Sequence, residues 1–213
     1  MTFESSLPYL SVAAGLGAGA WAGTPRRRLT AALSALALGA LALFAYFRWI
    51  SPTEAPLGLA LGAAGLALLP PEPSRWRRPA IALLAGEWLV FASLFLKTGD
   101  GLGQLMADAA RAALAVGSVI AVALLLRRLW PGLQRPRSGA AGEMVALTLM
   151  LAASLTLDWS FWPAMAGTAA VTAGEGVLLA VAAGRLPQRP ALVRVAWALG
   201  YVGQAAMAYA FLR

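Results

Sequence analysis

The chain has 213 residues, 60% of them hydrophobic and 12% charged, with a mean hydropathy of +0.72, far from the roughly even apolar share and the charged share of about a quarter found in soluble domains. It contains no Cys and no His, which excludes disulfides, thiolate and imidazole metal sites, His-based triads and imidazole acid–base catalysis; chemistry is left to carboxylates, amides, hydroxyls, Tyr, Lys and Arg. The net charge of +8 sits in short arginine clusters between apolar runs, a topology signal, and no nucleic-acid partner is expected.

Eight apolar runs follow one another along the chain, at about 7–22, 29–47, 55–69, 79–96, 104–126, 140–157, 161–183 and 191–212. Several are short against the roughly 20 residues that cross a hydrocarbon core. Trp49, Trp76, Trp130, Trp159 and Trp162 stand at run ends and extend the spans into the interface. The first run ends in "AWA" like a signal-peptide cleavage site. However, "MTFESS" before it has Glu4 and no basic residue, while the arginines follow it, so a retained helix is expected. Gly15, Gly19 and Gly23 in the first run, and Gly58 and Gly62 in the third, recur every four residues and predict close helix packing without chemistry.

The loops fix the count. Arg26–Arg28 follow the first run, Arg75, Arg77 and Arg78 the third, Arg127, Arg128, Arg135 and Arg137 the fifth, and Arg185 and Arg189 the seventh. The opposite side carries only Arg48, Lys97 and Arg213, among Glu4, Glu54, Asp100 and Asp158. Arginine at every second loop predicts an all-α bundle of eight transmembrane helices over residues 1–213, one domain, with both termini outside the cytoplasm. The expected location is the bacterial inner (plasma) membrane, with the bilayer itself as surroundings.

Ionisable residues inside the runs are few. An acidic residue at a helix centre costs about 2.5–3.5 kcal/mol on insertion scales and is functional by default. Glu87 lies mid-way in the fourth run, Glu143 opens the sixth, Glu175 lies in the seventh, and Arg194 starts the eighth. Asp108 and Arg111, three apart, predict a local ion pair. Helical spacing aligns Arg194, Trp197, Tyr201 and Gln204 on one stripe, Thr168, Thr172 and Glu175 on a second, and Glu143, Met150 and Ser154 on a third. These stripes predict a polar cavity in the cytoplasmic half, lined by Glu143, Glu175, Arg194, Tyr201 and Gln204, with Glu87 as a further candidate. The alternative is that the same groups satisfy one another as structural contacts, for instance Glu175 with Arg194, and that Trp197 and Tyr201 only pack.

The C-terminal stretch "GTAAVTAGEGVLLAVAAGRLPQRPALVRVAWALGYVGQAAMAYAFLR" and the eight short runs resemble the YhhN family of membrane proteins, whose animal members are lysoplasmalogenases. The family's Ser–Asp falls on Gly174–Glu175, its Leu–Ala on Leu179–Ala180 and its glutamine on Gln204; "LTLMLAAS" is similar to its Met-then-Ala pattern. The N-terminal half departs from it. Aligned on Pro70, Ala64 stands where the family has Asp, and a later His falls near Glu87.

The resemblance implies a hydrolase that cleaves the vinyl ether bond of a lysoplasmalogen-type membrane lipid to a fatty aldehyde and a glycerophospho-base, with no metal and no other cofactor. Acid protonates the vinyl β-carbon and water captures the oxocarbenium ion, so the chemistry needs a carboxylic acid that is protonated near neutral pH. The expected acid–base residues are Glu175, with Glu87 or Glu143 as partner. Arg194, Arg185 and Arg189 would meet a phosphate, and Tyr201 and Gln204 would line the substrate site. The rival readings are a small proton-coupled transporter using Glu87 and Glu175, and a non-catalytic protein that keeps the fold.

Overall fold

A computed structural model describes residues 3–24, 27–48, 53–68, 77–99, 101–133 and 137–211. Arg26, Trp49, Pro70, Arg75, Trp76, Asp100, Arg135 and Arg213 lie outside the described residues. Within them the chain is helical and has no strand. The helices are α1 (Phe3–Trp21), α2 (Arg27–Arg48), α3 (Glu54–Leu68), α4 (Arg77–Thr98), α5 (Leu102–Ala107), α6 (Ala109–Leu129), α7 (Arg137–Ser154), α8 (Trp162–Ala182) and α9 (Pro190–Ala210). Every long helix coincides with one of the apolar runs. Five stretches are long and apolar enough to cross a membrane: Arg28–Arg48, Arg78–Thr98, Ala109–Gly132, Trp159–Ala182 and Pro190–Ala210. Two more helices, α3 and α7, are apolar but shorter. Several apolar helices of this kind are consistent with an integral membrane protein. So are the large apolar side chains on the outside, among them Leu16, Leu114, Ile120 and Val202.

Local signals set the helix ends. Pro163 and Pro190 occupy the first turns of α8 and α9, where the missing N–H costs nothing. The fifth run is divided at Asp108, which leaves the helical conformation (φ −110°, ψ 102°). Its carboxylate caps α6 by accepting from the N–H groups of Ala110 (2.9 Å) and Arg111 (3.3 Å).

Neighbouring helices form a closed ring in the order α1, α2, α3, α4, α7, α8, α9 and back to α1. The sixth helix stands outside the ring, against α7. With lipid on the outside, such a ring is held by close packing rather than by exclusion of water, and small residues set how close the backbones come. In the α8–α9 seam, a Cβ on Gly167 or Gly203 would meet the other's backbone carbonyl, and one on Gly174 would meet the carbonyl of Ala196. The residues after two of these glycines are Glu175 and Gln204, so this seam also carries two of the polar residues singled out in the sequence.

The two ends of the bundle differ. Loops after α1, α6 and α8 meet at one end: Gly23 (φ 75°) lies against Pro190, Gly132 against Ala183, and Arg185 Nη2 donates to the carbonyl of Arg128 at 3.3 Å. At the other end Lys97 pairs with Glu54 at 2.6 Å. The interior of that end is filled by Phe91, Phe95, Phe161 and Phe211, whose rings lie 5.3–6.0 Å apart, together with Leu157 and Met207.

Candidate functional site: a carboxyl-lined cavity inside the ring

The half of the ring next to the arginine-bearing loops is not filled. It encloses a cavity of about 380 Å³, within the range of small-ligand sites. Its walls come from the ends of α2, α3, α4, α7, α8 and α9 that approach those loops. Leu38, Leu66, Ile81 and Leu84 supply apolar wall, Trp88, Trp197 and Tyr201 aromatic wall, and Ser34, Glu143, Glu175 and Gln204 the polar groups.

Of the residues expected to meet there, Glu143, Glu175, Tyr201 and Gln204 all line the one cavity. The side chain of Glu87 is fully buried behind the wall, where Gln204 Nε2 donates to its Oε1 at 2.8 Å. The three carboxyl groups are within electrostatic range of one another. Neither Glu143 nor Glu175 has a hydrogen-bond or ion-pair partner among the described residues. Glu87 Oε2 and the indole N–H of Trp88, both buried, have none either. Among the described residues no group of three acidic side chains is arranged to hold a metal ion.

Arg194 is exposed at the start of α9 and does not line the cavity; among the described residues no ion pair joins it to Glu175. Arg185 and Arg189 are exposed on the loop that follows α8, just beyond the lining residue Ala182. Only one part of each polar stripe reaches the cavity. Thr168 and Thr172 bond back to the carbonyls of Ala164 (2.8 Å) and Thr168 (2.9 Å), while Met150 and Ser154 are buried in the core of α7. Asp108 and Arg111 do pair, at 3.3 Å, far from the cavity at the opposite end.

Two features escaped the sequence patterns. Tyr201 and Trp197 stack at 5.4 Å, and each is anchored by a serine from another helix. Trp197 Nε1 donates to Ser34 Oγ at 2.8 Å. Ser11 Oγ lies 2.8 Å from Tyr201 Oη and donates its one hydrogen to the carbonyl of Ala37, also at 2.8 Å. The tyrosine must therefore donate to Ser11, which leaves its oxygen an acceptor. On α1, Gly15 and Gly19 make room for these two rings. Ser11 and Ser34 are isolated hydroxyls in apolar runs, and that was the available signal. Trp88 was the other miss. It differs from the Trp residues at run ends by standing mid-helix, next to Glu87.

Compared with known proteins, the chain matches no family model, no curated protein and no solved structure. The likeness to the YhhN family therefore rests on the sequence motifs.

Proposed function

We propose that the chain crosses a bacterial plasma membrane eight times, with both termini outside the cytoplasm, and that its cavity is the acid–base site of a YhhN-like hydrolase acting on vinyl ether lysolipids. The observation that carries this reading is the convergence of Glu143 and Glu175, from two helices, on one largely apolar cavity, with the Gln204-bound Glu87 of a third helix behind its wall. Segregation of Arg28, Arg78, Arg127, Arg128, Arg185 and Arg189 to the cavity's end of the bundle supports the orientation.

In the proposed reaction Glu175, protonated, delivers its proton to the vinyl β-carbon. The ether oxygen's lone pair stabilises the resulting cation. Water adds to the α-carbon and loses a proton to a carboxylate, for which Glu143 is placed on the same cavity. The hemiacetal then collapses: its hydroxyl gives up its proton as the carbonyl forms, the C–O bond to glycerol breaks, that oxygen takes up a proton, and the proton held by Glu143 returns to Glu175. One water is consumed, and aldehyde and glycerophospho-base are released. Glu87, tied to Gln204, is the third group able to exchange protons with this pair.

The test is aldehyde release by the purified protein in nanodiscs, offered a lysoplasmalogen and an ester-linked lysophospholipid of equal chain length. The reading predicts aldehyde from the vinyl ether alone. No aldehyde from it would overturn the hydrolase and favour a proton-coupled carrier built on the same carboxyl groups.

A further inference from the structure

The helices of the ring are not joined evenly. From α1 through α2, α3 and α4 to α7 each packs closely on the next, and α8 packs closely on α9, whereas α7–α8 and α9–α1 are sparse seams. The cavity lies between these two bodies, with α2, α3, α4 and α7 on one side and α8 and α9 on the other. The sparse seams are fastened differently. On the α9–α1 side Tyr201 donates to Ser11, Gly15 and Gly19 receive the rings of Tyr201 and Trp197, and Gly23 lies against the backbone of Pro190. Trp197 adds its bond to Ser34 of α2. The side-chain hydrogen bonds of α7 and α8 return to their own helix or cross to α9, and none among the described residues spans α7–α8. That seam is covered from outside by the end of α6. Leu125 lies over Gly176, Leu129 and Leu133 pack on Ala180 and Ala183, and an exposed hydrogen bond runs from Arg185 to the carbonyl of Arg128. On α8 the covered stripe of Gly176, Ala180 and Ala183 runs beside the cavity stripe of Glu175, Leu178, Leu179 and Ala182.

We infer that α8 and α9 move as one unit hinged along α1, and that the α7–α8 seam is a side door between bilayer and cavity for a single-chain lipid, latched by the end of α6. This rests on the cavity being the site of lysolipid chemistry and names how that site is entered and shut. Parting the α9–α1 side would leave the Tyr201 hydroxyl and the Trp197 indole N–H without partners in apolar surroundings, where an unmet hydrogen bond is costly. Parting α7–α8 breaks only the exposed Arg185 bond, which water replaces, and uncovers apolar side chains that lipid tails cover as well as leucines do. The door also assembles the site. Glu143 stands on α7 and Glu175 on α8, so opening separates the two carboxyl groups and closing reunites them around a sequestered lipid.

Locking the latch of the full chain in nanodiscs tests this without turnover. Arg128→Cys with Arg185→Cys puts thiols on two exposed residues already in contact, and a short bifunctional methanethiosulfonate joins them. Thr24→Cys with Ala191→Cys, beside the contact of Gly23 with Pro190, gives the matching lock on the hinge side. The probe, added after locking, is a saturated ether lysophospholipid with a diazirine in its chain, which the proposed reaction cannot cleave. After photolysis, mass spectrometry counts adducts on the cavity residues Leu84 and Gly200. Adducts should be lost when the latch is crosslinked, return when the same protein is reduced, and persist when the hinge side is crosslinked. Undiminished adducts in the latch-locked protein would overturn the door and leave the proposed hydrolase standing. Equal loss from the hinge-side lock would overturn the assignment of hinge and latch. An absence of adducts in the reduced protein would overturn the lysolipid site itself, and the door with it.

Discussion

Gly62 stands where the carboxyl group of Glu87 needs space: a Cβ there would collide with all three of its carboxyl atoms. The four-residue glycine spacing of α3 thus does more than bring helices together, because one of its members houses an acidic side chain. Gly62→Ala should push Glu87 off Gln204 and destabilise the fold by about 1–3 kcal/mol, the cost of overpacking. In a Glu87→Ala background the same change should cost far less, since the space is then vacant. Equal costs in both backgrounds, measured by thermal unfolding, would mean that Glu87 is not the obstacle. At Glu175 the expectation concerns chemistry. Glu175→Gln keeps shape and polarity but has no transferable proton, so in the proposed reaction turnover falls by about 10²–10⁴-fold while folding is unaffected. A variant that releases aldehyde at the native rate would make Glu175 structural and move the acid to Glu87 or Glu143.

Among the long helices, α6 is held outside the ring, and its ends are fastened by different means. At the loop end, Leu129 and Leu133 pack on Ala180 and Ala183. At the other end Arg111, nearly buried, donates through Nη1 to the carbonyls of Leu157 (2.7 Å) and Leu155 (3.2 Å) and lies 5.0 Å from the Trp159 ring centre. Those carbonyls belong to the turn after α7, where the helix has ended and the backbone needs donors. The sequence showed the Asp108–Arg111 spacing but not this longer reach, because a contact across 44 or 46 residues leaves no local pattern. Arg111→Met should cost about 1.5–3 kcal/mol, the range for hydrogen bonds from a charged group, and loosen the turn after α7. An unchanged unfolding temperature would show that α6 is held by its apolar contacts alone.

For the whole molecule, the apolar runs and their arginine-bearing loops made a helix at each run and a two-ended bundle legible among the described residues, five of the helical stretches being long and apolar enough to cross a membrane. Periodicity also put Glu143, Glu175, Tyr201 and Gln204 on inward faces. It could not show that α6 is left out of the ring, or that phenylalanines fill one half and leave the other hollow, because both depend on which helices become neighbours. It also carried Arg194 inward with its stripe, whereas Arg194 is exposed and the part of α9 that lines the cavity begins at Ala196. The native chain lacks cysteine, so single thiols can report orientation. Ser160→Cys and Arg185→Cys lie on exposed residues at opposite ends. A membrane-impermeant maleimide added to intact cells should label the first and not the second, and the reverse would invert the proposed topology.

The proposed chemistry rests on proton delivery from a carboxyl group to carbon, which solvent isotope reports directly. Vinyl ether lysolipid would be turned over in D₂O and the aldehyde reduced at once to the alcohol, before exchange through its enol. Mass spectrometry should find one deuterium on the carbon next to the former carbonyl. Aldehyde formed without that deuterium, or no aldehyde at all, would contradict acid cleavage in this cavity.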